Sequence, residues 1–315
     1  MGVMNEAVEE MSQATSPSTG KSYSLTMVLR VWETAESTFY RRLHQKPKVE
    51  GRSGPVGPCT DGELLEHIRA LLADSPFHGE GYRKVWARLR FQGIRTSRSR
   101  VLRLMRENQL LASHRRGNPH GPKAHDGKIT TERVEEMWGA DMTSTITTTE
   151  GQTAIFFAVD HCSMECVGMH IAKRGTRFEV LEPIRQGVRE CFGAFGKGVA
   201  AGLALRHDHL SACNAQADGS QYLSDVFQEE IRFLGVTSSP AFVREPEGNG
   251  CAERFVRILK ENLLWVRTFA TVEELRVALQ EFRRIYNETW IIERHGYKTP
   301  AQIRREQRGL VIKAA

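Results

Sequence analysis

Three acidic residues occur in contexts that suit metal-dependent phosphoryl transfer. Asp141 opens an alternating stretch, and Glu253 lies near the start of a predicted helix. Asp208 closely follows the apolar run Val199–Leu205, which is typical of a buried strand. Two carboxylates at strand ends and one on a helix can converge on divalent cations such as Mg²⁺, and two such ions about 3.5–4 Å apart activate a nucleophile and stabilise a leaving oxygen. Each acid alone would be interpreted as a surface residue, so the prediction depends on all three contexts.

The segment from about residue 134 has the patterning of an α/β layer. Strands are predicted at Ser144–Thr149, Ala154–Val159, Cys166–Ala172, Val199–Leu205 and Val236–Ser238. Helices are predicted at Phe178–Cys191, Tyr222–Leu234, Cys251–Trp265 and Thr271–Tyr286, the last with Thr271 as its cap. This order indicates one mixed sheet with flanking helices. We expect the apolar run Val199–Leu205 to be the central strand, covered on both faces.

Helical patterns precede this layer. Residues 1–20 are polar and rich in Ser and Thr, and are predicted to be disordered. Residues 21–60 are predicted to hold a short helix-turn-helix-like segment, with Ser37 near the start of its second helix, followed by a linker. Residues 61–113 are predicted to form a second helical domain of this type, and residues 114–133 a basic linker. The α/β layer is then residues 134–305, and residues 306–315 are predicted to be a tail.

Positive charge is concentrated in the second helical domain and the linker after it. Residues 83–123 contain 12 Lys and Arg and one acid, so this segment carries +11 in a chain whose net charge is +6. Such a basic block is typical of a nucleic-acid-binding module, with a solvated basic surface as the alternative. The third helix, predicted at Ser99–Gln109 with Ser97 as its cap, suits a DNA groove. The candidate DNA-binding residues are Arg95 and, on the expected exposed side of this helix, Arg98, Arg100, Arg103 and Arg106.

The composition indicates a cytosolic globular protein. The 315 residues are 40% hydrophobic and 26% charged, and no run approaches the roughly 18 apolar residues that a membrane helix needs. The polar, acidic N-terminus lacks a signal-peptide pattern. Six cysteines are scattered, and the close pair Cys162 and Cys166 has no second pair to complete a zinc site, so free thiols are expected. We expect a cytoplasmic protein that associates with the nucleoid when bound to DNA.

Several short motifs, in order along the chain, resemble those of one family. They are Trp138-Gly139-Ala140-Asp141-Met142-Thr143, Arg206-His207-Asp208-His209, Gly219-Ser220-Gln221-Tyr222, Ser238-Ser239-Pro240 through Gly250-Cys251-Ala252-Glu253-Arg254-Phe255, and His295-Gly296-Tyr297-Lys298-Thr299-Pro300-Ala301. With Leu102-Arg103-Leu104-Met105 upstream, the match covers nearly all of residues 23–305. Each motif is moderately specific, and their common order is very specific. The chain resembles the OrfB-type transposases of bacterial insertion sequences, in the retroviral-integrase-like (DDE) superfamily.

The resemblance implies an RNase H-like mixed five-stranded sheet, preceded by small helix-turn-helix-type modules that bind DNA. It implies that Asp141, Asp208 and Glu253 bind two Mg²⁺ or Mn²⁺ ions, and that the enzyme cleaves DNA at the ends of its element and joins them to a target through a 3′-hydroxyl. The partners that we expect are double-stranded DNA, further copies of this chain on that DNA, and a small upstream OrfA-type protein.

Basic residues follow Glu253 on its helix. Arg257 and Lys260 lie four and seven residues later, on the face that carries Glu253. An acid and two bases in one line fit metal binding beside phosphate binding, and Lys260 matches a family lysine that contacts DNA. An ion pair between Glu253 and Arg257 is the alternative interpretation.

The second acid departs from the family pattern. The family has Asp-x-Gly-Ser at this point, whereas nine further residues, Leu210–Asp218, follow His209 here. Between Asp208 and Glu253 lie 44 residues, or 35 without the insertion, which is the family interval; between Asp218 and Glu253 lie 34. Asp218 is therefore the alternative to Asp208, which we favour because the predicted strand leads into it.

The insertion is also compatible with a second class of function, DNA binding without cleavage. A decayed copy or a regulator would bind the element ends without cutting them, because a metal ligand tolerates little misplacement. A nuclease of the same fold that acts on RNA–DNA hybrids is a weaker alternative, since such an enzyme needs no upstream basic module.

Overall fold

The structure is a computed structural model in which two compact units are distinguished. It describes residues 3–43, 59–113, 131–176, 178–207, 222, 224–240 and 249–314. The units are Met1–Gly57 and Pro58–Ala315. None of the helices within the described residues is long and apolar enough to cross a membrane.

The first unit is a small helical cluster formed by α1 (Val3–Gln13), α2 (Leu25–Val31) and α3 (Glu36–Leu43). The helical pattern predicted after residue 23 is confirmed. The predicted disorder of residues 1–20 is wrong over α1, because a helix brings Val8 into contact with an apolar cluster of α2 and α3. That cluster contains Val8, Val28, Leu29 and Phe39. The sequence of α1 is mostly polar, and its apolar residues lie on one side only when the segment is helical.

The second unit begins with three helices, α4 (Asp61–Asp74), α5 (Tyr82–Phe91) and α6 (Arg98–Glu107). Their apolar faces form one small core, which contains Leu64, Ile68, Val85, Leu89, Val101, Leu104 and Met105. Ser97 caps α6 by accepting a hydrogen bond from the Arg100 amide, as predicted. The predicted helical domain is therefore present, and we refer to α4–α6 as the helical domain.

A mixed five-stranded sheet follows, as predicted. Its strands are β1 (Met137–Thr147), β2 (Gly151–Asp160), β3 (Cys166–Ala172), β4 (Ala204–His207) and β5 (Thr237–Pro240). Their spatial order is β3-β2-β1-β4-β5. Strands β1, β2 and β3 pair antiparallel, whereas β1 with β4 and β4 with β5 pair parallel. We refer to the sheet and its flanking helices as the core.

Helices cover both faces of the sheet. They are α7 (Glu182–Phe192), α8 (Asp225–Leu234), α9 (Gly250–Leu259), α10 (Val272–Thr289) and α11 (Pro300–Ala314). Successive residues of β2 point to opposite faces, so Phe157 packs in the cluster formed by α9 and α10 while Phe156 packs in the cluster formed by α7 and α8. A π-helical turn, Lys260–Leu264, continues α9.

The apolar run Val199–Leu205 does not form the predicted central strand. Residues 199–202 form a turn, β4 begins only at Ala204, and β1 is the central strand. Gly198 and Gly202 have φ values of +71° and +94°, which end any extended run. Ala200 and Leu203 of the run are buried, and the Ala200 amide donates to the Leu234 carbonyl at the C-terminus of α8.

The predicted tail at residues 306–315 is also wrong, because α11 continues to Ala314 and packs on the sheet layer. The Arg308 guanidinium donates to Glu135 and to the Cys191 carbonyl. Arg304, of which 10% is exposed, pairs with the buried Glu165 at 3.2 Å. These ion pairs explain why a highly charged segment is helical and packed.

Candidate functional site

Asp141 lies on the central strand. It stands opposite Phe157 of β2, is half-buried, and accepts a hydrogen bond at 2.7 Å from the Met142 amide to Oδ1. On the other side of β1, Gly139 pairs with Arg206 of β4. The strand β4 ends at His207, so the next residue in the sequence is Asp208. Asp208 and the insertion Leu210–Asp218 lie outside the described residues.

Glu253 lies in the first turn of α9 and is exposed. The residue before this helix, Asn249, is buried, and its Nδ2 donates a hydrogen bond of 3.1 Å to the carbonyl oxygen of Ala140. Asn249 precedes Glu253 by four residues, about one helical turn. The start of α9 is thereby attached to β1 one residue before Asp141. The hydrogen bond between Asn249 and Ala140 thus joins the strand that carries Asp141 to the helix that carries Glu253.

Gly139 makes this attachment possible. A Cβ atom at Gly139 would stand 2.5 Å from Asn249 Oδ1 and 2.9 Å from His161 Nε2, too close for either contact. His161 is buried beside the strand, and its amide donates to the Met137 carbonyl at 2.9 Å. The sequence motifs contain Gly139 and Asn249, but they do not reveal this structural role. Only the pairing of distant segments brings these residues together.

The donor set fits a hard divalent cation. Asp141 and Glu253 offer carboxylate oxygens, which Mg²⁺ and Mn²⁺ prefer, rather than the thiolates and imidazoles that favour zinc. Within the described part of the chain, no group of three His, Cys, Asp or Glu side chains could hold a metal ion. A three-acid site therefore requires a third ligand from outside it, and the candidates from the sequence are Asp208 and Asp218.

His207 takes part in packing. Its Nε2 lies 2.9 Å from Ser238 Oγ, and its ring stacks on Tyr222 with centroids 5.3 Å apart. The residue is fully buried. These contacts indicate that His207 stabilises the end of β4 and does not serve as a metal ligand.

Two basic residues follow Glu253. Arg257 is exposed on α9, four residues after Glu253 and on the same side of the helix. Lys260 is half-buried and begins the π-helical turn, so the regular helix ends just before it. Both remain candidate DNA contacts.

The arginines of the helical domain divide into two groups. Arg95, Arg98, Arg103 and Arg106 are exposed, as expected for DNA contacts. Arg100 was expected on the exposed side, and that expectation is wrong: 15% of its side chain is exposed. Arg100 donates from Nε to Asp61 at 2.7 Å and from Nη2 to the Cys59 carbonyl at 2.8 Å. Hydrogen bonds from Arg103 and then Arg100 lower the pKa of Asp61 to about 2. Arg100 therefore holds α6 to the start of α4.

Two parts of the chain match known domain families. Residues 60–117 match the HTH-like domain, and residues 234–300 match the integrase core domain. The transposase InsD of insertion element IS2A/D/F/H/I/K from Escherichia coli is 26% identical over 252 residues, which cover 78% of this chain and 80% of that protein. The transposase InsD of insertion element IS2-9 from Escherichia coli K12 is 26% identical over 78% of each chain.

Solved structures of integrases are also similar. A simian T-cell lymphotropic virus intasome in complex with the PP2A regulatory subunit B56 gamma aligns with a TM-score of 0.43 and 18% identity, covering 78% of this chain and 74% of that chain. The catalytic core domain of BIV integrase aligns with a TM-score of 0.38 and 19% identity, covering 56% of this chain and 99% of that chain.

The two domain families occur here in the order helical domain then core, and the relatives match over most of their length. The integrase core match, residues 234–300, includes β5, α9 and α10 of the mixed five-stranded sheet and its flanking helices. The chain is therefore similar to insertion-sequence transposases over most of its length, with an HTH-like domain followed by an integrase core domain.

Proposed function

We propose that this transposase cleaves DNA phosphodiesters at the ends of its insertion element and transfers the resulting 3′ ends to a target, with Asp141, Asp208 and Glu253 as its catalytic acids. The observation that carries the proposal is the hydrogen bond from Asn249 to the Ala140 carbonyl, because it joins the elements of two of these acids. The acids would hold two Mg²⁺ or Mn²⁺ ions, which when bound supply Lewis-acid stabilisation of charge on the attacking and leaving oxygens.

The backbone supports fixed positions for the two described acids. Asp141 lies on a strand with paired neighbours on both sides, and its Oδ1 is held by the Met142 amide. Glu253 is exposed at the first turn of α9, where its carboxylate is accessible to a metal ion. A rigid strand and a rigid helix position side chains better than loops do.

Asp208 is proposed as the third acid in preference to Asp218. In the parallel pair of β1 and β4, Gly139 is level with Arg206. Asp141 follows Gly139 by two residues, and Asp208 follows Arg206 by two residues. The same offset therefore relates the two acids, and this supports Asp208 as the partner of Asp141. The nine inserted residues after His209 give no comparable relation for Asp218.

DNA is proposed to contact both domains. In the helical domain, the exposed Arg95, Arg103 and Arg106 suit phosphate binding by the element ends. In the core, Arg257 and Lys260 on the helix of Glu253 suit the strand that lies in the site. This division assigns end recognition to residues 61–113 and chemistry to the core that begins near residue 134.

The experiment measures strand transfer and end binding separately in Asp141→Asn and Glu253→Gln. Each variant removes a carboxylate charge and little volume, so we expect strand transfer with Mg²⁺ or Mn²⁺ to be abolished while the affinity for end-containing DNA stays within about threefold. Glu273→Gln is the matched control, since Glu273 is 70% exposed on α10, where it pairs with Arg276 at 3.2 Å. Retained strand transfer in either acid variant would reject the assignment.

The same assay addresses the alternative of a regulator. A parent protein that binds element ends tightly but transfers no strand under any condition would be a regulator or a decayed copy.

A further inference from the structure

The turn between α4 and α5 inserts into the core. Phe77, of which 3% is exposed, belongs to the apolar cluster that contains Ala252 and Phe255 of α9. Its ring makes an edge contact with Trp290, with centroids 4.8 Å apart. The next amide, that of His78, donates to Asn262 Oδ1 at 2.7 Å, in the π-helical turn that continues α9. The helical domain therefore touches the helix that carries Glu253.

A second aromatic contact joins α5 to the segment after α10. Trp86 and Tyr297 meet at 5.9 Å with a 66° angle between their rings. The Trp86 indole is held within its own domain by a hydrogen bond of 2.8 Å from Nε1 to the Thr96 carbonyl. Ala87 and Ile291 are buried in the same small cluster. Aromatic pairs of this kind contribute beyond the apolar area that they bury.

Basic side chains of the helical domain lie on both aromatic contacts. Lys84 Nζ is 2.8 Å from the centroid of the Trp290 ring, and the Arg98 guanidinium is 4.3 Å from that of Trp86. Arg88 donates to the Thr289 carbonyl at 3.2 Å while it pairs with the buried Glu80 at 2.9 Å. Apolar, aromatic and charged contacts thus connect the same two surfaces, unlike the small polar interfaces that let domains move freely.

We propose that the helical domain and the core work as one rigid body, and that Phe77 is a positioning residue which fixes α9, and with it Glu253, against the sheet. This inference rests on the proposed function, because it assigns Phe77 an effect on strand transfer. Phe77 belongs to one buried cluster with Phe157 of the sheet and Ala252 and Phe255 of α9. A DNA end held by α6 would then be presented to the acids by the same contact that holds Glu253.

The test compares Phe77→Ala with Phe91→Ala in the full-length protein. Phe91 lies on α5 of the same domain but is 66% exposed, so its truncation leaves no cavity in the core. In Phe77→Ala we expect the amides of α9 to exchange with solvent about tenfold faster while those of α7 are unchanged. We expect the strand-transfer rate to fall about tenfold to a hundredfold, and the Kd for end-containing DNA to change by less than about threefold. Phe91→Ala should match the parent protein in all three measurements.

A folded Phe77→Ala variant with unchanged α9 exchange and unchanged strand transfer would overturn the inference. If Phe77→Ala does not fold, Phe77→Leu keeps an apolar side chain and removes the ring contact with Trp290, and the same comparison applies with smaller effects. Absence of strand transfer in the parent protein would count against the proposed function, while the exchange of α9 would still decide whether Phe77 holds that helix.

Discussion

Asn249 donates a hydrogen bond of 3.1 Å to the carbonyl oxygen of Ala140, and this contact attaches the first turn of α9 to the central strand of the sheet. The two residues are 109 positions apart in the chain. Glu253 follows Asn249 by one helical turn, and Asp141 follows Ala140 directly. An amide side chain with no catalytic chemistry thereby joins the two elements that carry the catalytic candidates.

Substitution of Asn249 should therefore impair both strand transfer and stability. Asn249→Asp keeps the shape but replaces the donor by an acceptor that repels the Ala140 carbonyl, so we expect strand transfer to fall about tenfold or more. The free energy of unfolding should fall by about 1–3 kcal/mol, because a buried hydrogen bond is removed. Rates of strand transfer and urea unfolding curves measure the two effects. Asn108→Asp is the control, since Asn108 makes a similar bond to a helix carbonyl in the helical domain; equal activity of both variants would contradict the prediction.

Gly139→Ala should produce the same defect by a different route. The added methyl group would stand 2.5 Å from Asn249 Oδ1, so either Asn249 or the strand must move. We expect a decrease of about 1–3 kcal/mol in the free energy of unfolding and a lower rate of strand transfer. Gly250→Ala at the start of α9 is the matched control, because nothing lies within 4 Å of its added methyl group. Full activity of Gly139→Ala would show that the site tolerates displacement of this contact.

The arginines of the helical domain should separate into DNA contacts and a structural residue. Replacing Arg95 and Arg106 by Ala should lower the dependence of log Kd on log salt concentration by about one unit for each phosphate that the protein no longer binds. Arg100→Ala should instead destabilise the domain by about 1–3 kcal/mol, because it breaks charged hydrogen bonds to Asp61 and Cys59. Titrations over a range of salt concentrations and thermal unfolding distinguish the two. A full salt slope in the double variant would remove Arg95 and Arg106 from the DNA interface.

The order of elements is predictable from the sequence because each element has its own period or cap. Ser97 and Thr271 mark their helices, and the alternation after Asp141 marks its strand. The prediction for Val199–Leu205 is wrong because an apolar run without a period does not distinguish a strand from a buried turn. The prediction for Arg100 is wrong because helical spacing gives the side of a residue but not its distant partner, Asp61.

The candidate site is predictable to a smaller extent. Motifs single out Asp141 and Glu253 as candidates, since acids in those contexts are specific in type and order. The contact of Asn249 with Ala140, and the space that Gly139 leaves for it, depend on how a helix and a strand meet. The insertion of Phe77 into the core depends in the same way on the packing of two domains. Local patterns carry no information about such contacts.

The pH dependence of stability should report on Lys84. Burial lowers the pKa of Lys84 to about 7; Glu80 opposes this effect, and Arg88 and Arg254 add to it. The folded state therefore binds the proton of Lys84 less tightly than the unfolded state, whose lysine has a pKa near 10.4. The resulting penalty is fully present below pH 7 and disappears as the pH rises towards about 10.4.

Relative to Lys84→Met, the wild-type protein should thus gain free energy of unfolding between pH 7 and about pH 10, with a slope of at most about 1.4 kcal/mol per pH unit. Urea unfolding at several pH values measures the difference between the two proteins. Lys173→Met is the control, because 61% of the Lys173 side chain is exposed. Parallel curves for wild type and Lys84→Met would mean that Lys84 is not buried in the folded protein.

Point changes at the two candidate second acids should decide which of them completes the site. If Asp208 is the ligand, Asp208→Asn abolishes metal-dependent cleavage of end-containing DNA, and Asp218→Asn leaves it intact. The offset that pairs Gly139 with Arg206 relates Asp141 to Asp208 and supports this outcome.

Deleting Leu210–Asp218 should then keep or raise activity, because it restores the spacing of 35 residues between Asp208 and Glu253. The deletion alone does not discriminate, since Asp208 could replace a deleted Asp218. Cleavage that survives Asp208→Asn and is abolished in Asp218→Asn would transfer the role to Asp218. Activity that is absent in the natural sequence and present after the deletion would identify a decayed copy, in which the insertion displaces a ligand that must be held to within a fraction of an ångström.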